Sequence, residues 1–417
     1  LMQTFDEIYV LDLHGNSLKK ETAPDGSPDE NVFDIRQGVS VCALVKSSDQ
    51  QLDASIRVND LWGERTEKYQ QLAKTSVMTS EWTRIDARPP YYYLIKPDSE
   101  EFDGEWEKWP AICDLFKKRS TGTETGFDDL LVAFTRSELI QRVAQFADPL
   151  VTRQFLSEQF DVSEGHALKL FNRRKELLKF KAEDVGQIQL RAFDYRWALL
   201  RKDLLKTNSF NVMLDLDERC PGLVTTRQTK ERFSAFAVKG FCGHKVTSSY
   251  DRSYVLPVFA RHSGSLIDKQ DTCLDRSWLA RFHNLHVMVE AQPVDIKLAL
   301  DVFNYALALL NAPSYTSHFG NRLKRDWPRL PVPGNPDIFR ALADLGRELA
   351  AIQTLESPKL SEPISEFLSS RNPEVEKVAW SRNTVWLDKA QTTGFHGVRE
   401  DVWNFHIGGY QVCEKWL

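Results

Sequence analysis

The sequence is poor in several features that would each have narrowed its function at once. Among its 417 residues no run approaches the 18 or more apolar residues of a membrane span, so no membrane partner is expected. The opening LMQTFDEIYVLDL has no basic stretch followed by an apolar one, and it is not read as a secretory signal. Six cysteines lie scattered at 42, 113, 220, 242, 273 and 413 without a CxxC pair, and the nine histidines form no HExxH. A zinc site or disulfide framework is therefore not expected, and the cysteines read as free thiols. No GxxxxGK[ST] phosphate loop occurs. A net charge of −5 argues against a surface that is basic all round, while leaving room for a local basic cleft.

What is there is ordinary for packed domains: 42% hydrophobic residues, 27% charged, and 11 Trp, 11 Tyr and 24 Phe. The length suits two or three domains with sizeable cores, in a protein expected in the cytoplasm. EIYVLDL (7–13), GVSVCALVK (38–46) and ASIRVNDLW (54–62) read as strands. The second is so continuously apolar that it predicts a strand covered on both faces. GERTEKYQQLAK (63–74) reads as a short helix, and YYYLIK follows a Pro-Pro break. Trp106, Trp109, Cys113 and Phe116 recur at helical spacing and predict one helix face, closing an α/β block near residue 118.

Beyond it, Thr135 and Glu138 form a capping box ahead of an apolar stripe, and a basic helix is expected over about 165–180. Short strands dominate from 187 to 290: IQLRAF, GLVTTRQ, AFAVKG, YVLPVFA and HVMVE. Helices return from about 295 to 357. One carries Phe303, Ala306, Leu307 and Leu310 and stops at Pro313. The next starts at Asn335-Pro336 and runs through Ile338, Leu342, Leu345 and Leu349, a stripe expected to build a core. The last stretch mixes polar turns with Trp380, Trp386, Trp403 and Trp416.

Several segments resemble the C-terminal half of Type ISP restriction–modification enzymes. They are DEIYVLDLHGNSLKKETAPDGSPDENVFDIRQGVSV (6–41), AFDYRW (192–197), GLVTTRQT (222–229), YALALLNAPSY (305–315), LKRDWPRLPVP (323–333), LADLGRELAAIQTLES (342–357) and VWNFHIGGYQVCEKWL (402–417). The resemblance implies an α/β protein: a partial Rossmann-like methyltransferase sheet in 1–118, then a mixed α+β target-recognition domain in 119–417. It implies double-stranded DNA as partner, and adenine amino-methylation with S-adenosylmethionine by an intact bacterial enzyme. A missing N-terminal methyltransferase part, with or without nuclease and translocase parts, would then belong to the same protein. The Gly-rich cofactor loop and the Asn-Pro-Pro-Tyr-type tetrad of such enzymes are not found here. RPPYYYL (88–94) lacks the Asn. The chain is therefore expected to bind no cofactor and to carry no catalytic residue. A scaffold coupling a methyltransferase to a translocase is the alternative reading.

DNA readers need cations and amides on an accessible surface: phosphate contacts give affinity, base edges give sequence. Thr225, Thr226, Arg227, Gln228, Thr229 and Lys230 follow a short apolar strand. Arg can pair with guanine and Gln with adenine. Because the segment belongs to the resemblance, phosphate contact or bracing of the fold is the stronger reading. His244, Lys245, Ser248, Ser249 and Arg252 lie in a turn region that is either a DNA contact or a solvated loop. Lys117, Lys118, Arg119, Thr121 and Thr123 sit in a loop suited to an anion, and NRRK (172–175), Lys179 and Lys181 are further phosphate candidates or a solvated face. Arg191, Asp194 and Arg196 read as an ion-pair cluster against Trp197. His14, Asn16 and Asn31 follow strands where a doubly wound sheet has its ligand crevice, or else simply shape turns. Asp29 and Glu30 order that loop; their spacing matches no recognised metal set.

Overall fold

A computed structural model describes residues 1–17, 21–47, 54–87, 92, 94, 105–148, 150–159, 165, 171–172, 179–205, 209–261, 270–283, 294–369 and 374–417. Most of RPPYYYL and YYYLIK, of the 165–180 helix with its basic run, and all of HVMVE lie outside the described residues. The chain divides into two compact units, Leu1–Lys108 and Trp109–Leu417.

The first unit is a mixed sheet of β1 (Glu7–Asp12), β2 (Ser40–Val45), β3 (Ser55–Asp60) and β4 (Thr83–Ile85), ordered β2-β1-β3-β4. β1 and β3 are parallel, and β2 and β4 flank them antiparallel. Alternation decides which side is core: Ile8, Val10, Ile56 and Val58 pack together with Ala87, while Tyr9 and Arg57 point the other way. Among the described residues the expected cover on β2 is absent: its one strand partner there is β1, and Val41 is 54% exposed, with Leu44 and Val45 also exposed. An apolar run at a sheet edge reads like a central strand, because hydropathy does not record neighbours.

The helix Arg65–Lys74 returns after β3 and buries a charge to fix the loops. Lys68 Nζ lies 2.6 Å from Asp29, both side chains being 0% exposed. Lys68 also donates to the carbonyls of Leu13 (2.8 Å) and Glu30 (2.7 Å). Asp29 in turn accepts the backbone N–H groups of Gly15 (2.6 Å) and Gly63 (2.9 Å). A buried ion pair is tolerable when its remaining hydrogen-bonding capacity is met, as it is here. Gly15 is required: its φ is +79°, and a Cβ would overlap the backbone of Asn31.

The helix expected through Trp106–Phe116 is broken. Pro110 separates Glu105–Lys108 from Ile112–Leu115, since proline offers no N–H. The later part belongs to the second unit, where Ile112 N–H bonds to the Pro328 carbonyl (2.8 Å) and Lys117 N–H to that of Cys273 (2.9 Å). The two compact units meet between Lys108 and Trp109 in sequence.

Among its described residues the second unit holds three four-stranded sheets, one of them near the C-terminus (Glu366–Phe367, Ala379–Ser381, Thr384–Trp386 and Gly394–His396); the other two position the candidate site. One joins β5 (Ser120–Thr121), β9 (Gly222–Thr226), β10 (Phe236–Val238) and β12 (Ser253–Pro257) in the order β10-β9-β12-β5. The other joins β6 (Val132–Ala133), β7 (Val185–Arg191), β8 (Asp194–Leu199) and β11 (Phe241–Cys242) in the order β11-β7-β8-β6. A shared core of Val224, Phe236, Val238, Cys242, Val246 and Val255 joins them. Thr135 caps the helix Arg136–Ala147 by accepting Glu138 N–H (3.1 Å), but Glu138's side chain pairs with Arg142 and does not close a capping box.

The helices Val294–Asn311 and Pro336–Gln353 pack on each other. Gly346 lets them approach so closely that a Cβ would overlap the Asn304 carbonyl. Asn335 caps the second helix, accepting Asp337 N–H at 2.7 Å. The core side of that helix is not the expected stripe. Phe339, Ala343, Gly346 and Gln353 are buried, whereas Ile338 and Leu345 are 54% and 59% exposed. The helix offers two adjacent faces capable of packing; the one holding glycine and alanine allowed the closer helix contact.

Candidate nucleic-acid interface

Strand pairing gathers the three nominated segments of the second unit. β12 lies between β9 and β5, so Tyr254 faces Thr225 on one side and Thr121 on the other, and Ser253 faces Thr226. The loops leaving these strands meet around Glu231. Its carboxylate accepts Ser248 Oγ–H (2.6 Å), Ser249 N–H (2.9 Å) and the Ser249 hydroxyl. Burial alone would raise that carboxyl's pKa, but the serine hydroxyls and the backbone N–H groups outweigh it and hold it below the usual range. Lys230 N–H reaches Asp251 (2.9 Å), and Lys245 Nζ donates to the Tyr250 carbonyl.

This arrangement sorts the candidates. Thr123, Thr225, Thr226, Thr229 and Ser248 are buried. In β9, alternation turns Thr225 and Thr226 one into each packed face of a covered strand. Arg227, Gln228 and Lys230 are exposed just past the strand end. Arg227 is 59% exposed, with Asp326 at 3.4 Å, and Arg252 is similarly open, with Glu124 at 4.0 Å. His244 is half-buried against the Thr123 carbonyl. The basic run has acidic and carbonyl partners as well: Lys117, as exposed as Arg227, has Asp275 at 3.4 Å, Lys118 pairs with buried Asp215, and Arg119 donates to the Cys113 carbonyl (3.2 Å) beside Trp327. Asp194 and Arg196 do pair (2.5 Å), but Arg196 covers Phe134, while Arg191 lies over Tyr410; Trp197 is not their partner in these contacts. Lys179 and Lys181 are exposed, and Lys181 has Glu183 at 3.3 Å.

Two neighbours escaped the sequence reading. The turn around 320–327 brings exposed Lys324 and Arg325 beside the site, because Thr229 N–H bonds to the Leu323 carbonyl (3.2 Å) and Asp326 faces Arg227. The only sequence signal was the basic content of NRLKR. The hairpin of His406–Ile407 and Tyr410–Gln411 is the second. Tyr410 OH donates to the Ser248 carbonyl (2.9 Å). Gly408, at φ +59°, has no room for a Cβ beside the Thr247 carbonyl, and Gly409 has none beside Glu231. The two glycines are what let this hairpin press on the loop knot.

In the first unit, the cleft candidates are engaged within the fold. His14 stacks on Trp62 (3.3 Å between centroids) and places its ring nitrogens 3.0 Å from Asp60 and 3.2 Å from Glu21. Burial opposes a charge there, but the bond to Asp60 and the charges of Asp12 and Glu21 prevail, and the pKa is raised. Asp12, His14 and Asp60 lie close together, and both ring nitrogens of His14 face carboxylates. Asn31 is buried, donating to the Gly15 and Gln37 carbonyls and accepting Phe33 N–H. Asn16 N–H bonds to Glu21 (2.9 Å).

Residues 114–417 match the family described as the Type ISP C-terminal specificity domain. The chain belongs to this family. No curated protein sequence matches it. Similar solved structures include the ATP-dependent Type ISP restriction–modification enzyme LlaBIII bound to DNA, 17% identical with a TM-score of 0.65 over 99% of this chain and 28% of that one. A nuclease-deletion mutant of the Type ISP enzyme LlaGI with a DNA substrate mimic is 15% identical, TM-score 0.60, over 99% and 33%. A DrdV–DNA complex is 18% identical, TM-score 0.59, over 97% and 42%. At these identities the likeness is one of fold, and this chain spans less than half of each structure. The match to the Type ISP specificity domain covers the β9–β12 sheet, the Glu231 knot and the C-terminal hairpin, and begins inside the stretch that the structure assigns to the second unit. Among the described residues no helix is long and apolar enough to cross a membrane.

Proposed function

We propose that the second unit recognises a target sequence in double-stranded DNA on behalf of a larger bacterial restriction–modification enzyme acting in the cytoplasm. The observation that carries this reading is the rim of exposed Arg227, Gln228, Lys230, Arg252, Lys324 and Arg325 around one end of the β9–β12 sheet, in a Type ISP specificity domain. The buried threonines and the Glu231 knot hold the loops, and the rim cations neutralise phosphates or read base edges. The DNA-bound state of the three similar structures supports the same reading.

We further propose that the first unit is part of a methyltransferase sheet. Its parallel β1 and β3 and its apolar, one-sided β2 suit a sheet continued by further strands of the same enzyme. S-adenosylmethionine does not fit what is described here. The ends of β1 and β3 carry no Gly-rich turn, and His14, Asn31 and Asp29 are tied to neighbours. Adenine methylation and its cofactor are assigned to other parts of the enzyme, and no step is derived for them.

The test is titration with duplexes selected from a randomised pool, at two salt concentrations, using the chain and Arg227→Ala. A base contact costs about 1–3 kcal/mol and relaxes specificity at one position. A phosphate contact weakens all sequences alike and lowers the salt slope by about one unit. Wild-type affinity, specificity and melting temperature in the variant would remove this segment from the site. Absence of any salt-sensitive duplex binding by the parent chain would overturn the reading.

A further inference from the structure

The turn that the Glu231 knot holds carries one side chain that phosphate and base-edge contacts leave unused. Tyr250 is 75% exposed, and among the described residues its ring and its hydroxyl have no partner. In the segments 225–230 and 244–252 it is the one large hydrophobic side chain left open. Single exposed aromatics are ordinary on protein surfaces. What sets this one apart is the backbone beneath it. Ser248 Oγ accepts the N–H groups of Tyr250 (3.2 Å) and Asp251 (2.8 Å) while donating to Glu231 (2.6 Å). Lys245 Nζ donates to the Tyr250 carbonyl, and Tyr410 OH to the Ser248 carbonyl (2.9 Å). The turn is therefore held from within and by two distant segments, and the Tyr250 side chain is left in water.

We propose that Tyr250 is an aromatic wedge: in the complex with duplex DNA its ring leaves water and packs against the bases at one step of the target. This rests on the DNA-recognition reading of the same rim and names a specificity-determining residue within it. Position is the first argument. The neighbouring Asp251 carboxylate accepts Lys230 N–H (2.9 Å), and exposed Arg252 follows two residues on, so the ring stands among rim cations. Cations take the phosphates, and a neutral ring among them is left with sugars and bases. Chemistry is the second. Tyrosine offers a large rigid apolar surface with only two side-chain torsions to fix, and every base has a face on which a ring can stack. Order is the third. A turn already clamped through Glu231 and Tyr410 carries little further ordering cost on binding. The burial of the ring can then offset the cost of opening a base step, as apolar side chains inserted into DNA do.

Titration of the whole chain with a duplex selected from a randomised pool tests this, beside Tyr250→Ala and Tyr250→Phe. Tyr250→Ala should bind at least about fivefold more weakly, the lower end of what one aromatic contact to a base contributes. Tyr250→Phe keeps the ring and should stay within about twofold of the parent. No charge is removed, so the salt slope should not change in either variant. Melting temperatures should match the parent's, since the ring packs on nothing described in the free protein. A single mismatched pair, moved position by position through the duplex, gives a readout that loop support would not move. A mismatch eases the opening of its step. The parent-to-alanine affinity ratio should therefore rise at one position above its value on the fully paired duplex. Unchanged affinity in Tyr250→Ala, an equal loss in Tyr250→Phe, or a ratio that is the same at every position overturns the wedge, while duplex binding by the parent leaves the DNA reading standing. A parent that binds no duplex overturns both.

Discussion

The Lys68 lock in the first unit and the Glu231 knot in the second solve the same problem differently. Each gathers backbone N–H groups or carbonyls of separate loops onto one charged side chain. Lys68 does so fully buried, opposite an equally buried Asp29, with backbone on every remaining donor. Glu231 does so half-exposed and without a cation, using only hydroxyls and N–H groups. The difference lies in what removal costs. A buried charge cannot lose its partner without leaving the other one stranded in a low-dielectric interior. A half-exposed carboxylate can be replaced while water takes over part of its work. The first unit is thus fixed by its lock, whereas the second can have its loops loosened without unfolding, as suits loops that must settle against a ligand.

The largest break in this contrast comes from Lys68→Ala. It should cost about 3–5 kcal/mol, read as a shift of the first unit's denaturant midpoint followed by the fluorescence of Trp62. Pairing it with Asp29→Leu should recover only part of the loss: both charges then go together, but the Gly15 and Gly63 N–H groups lose their acceptor. An unchanged midpoint in Lys68→Ala would mean that the lock is dispensable.

Glu231→Gln should cost less, about 1–2 kcal/mol, and should lower duplex affinity by loosening the 244–252 turn. Its pH signature has a definite sign. The native carboxyl is held below its ordinary value, so its contribution is present above about pH 4.3 and is lost as pH falls through the lower native value. Melting temperatures from pH 7 to pH 3 should fall less steeply in Glu231→Gln than in the parent.

His14 runs the opposite way. Its native pKa is raised, so its contribution is complete below about pH 6.5 and disappears as pH climbs through the higher native value. The first unit should therefore lose stability on the alkaline side, and His14→Gln should flatten that limb; equal slopes in both proteins would show that the imidazolium contributes nothing. The smallest effect is expected from Thr225→Val. The Thr225 hydroxyl is buried without a hydrogen-bond partner, so an isosteric apolar side chain should change stability by less than about 0.5 kcal/mol and leave DNA binding intact. A large loss of affinity would return Thr225 to the contact surface.

The sequence by itself determined the elements whose cause is local. The period-two alternation of β1 and β3 and the Thr135 and Asn335 caps act within a few residues; the break at Pro110 is as local, yet the helical spacing of Trp106, Trp109, Cys113 and Phe116 masked it. Family membership was legible too, because it rests on segments such as HGN, DENVFD and IGGYQVCEKW, whose residues turned out to be the locks and glycine-dependent close approaches of the fold. Part of the candidate site was legible as three polar segments, but not which of their side chains face water. Only the tertiary structure decided that Thr225 and Thr226 are buried while Arg227 and Gln228 are not, that Lys324 and Arg325 join them, that β2 is an edge, and that Leu345 points outward. Each of these depends on what packs against a residue from far along the chain, and hydropathy records only how much a side chain favours burial, never whether a neighbour arrives to provide it.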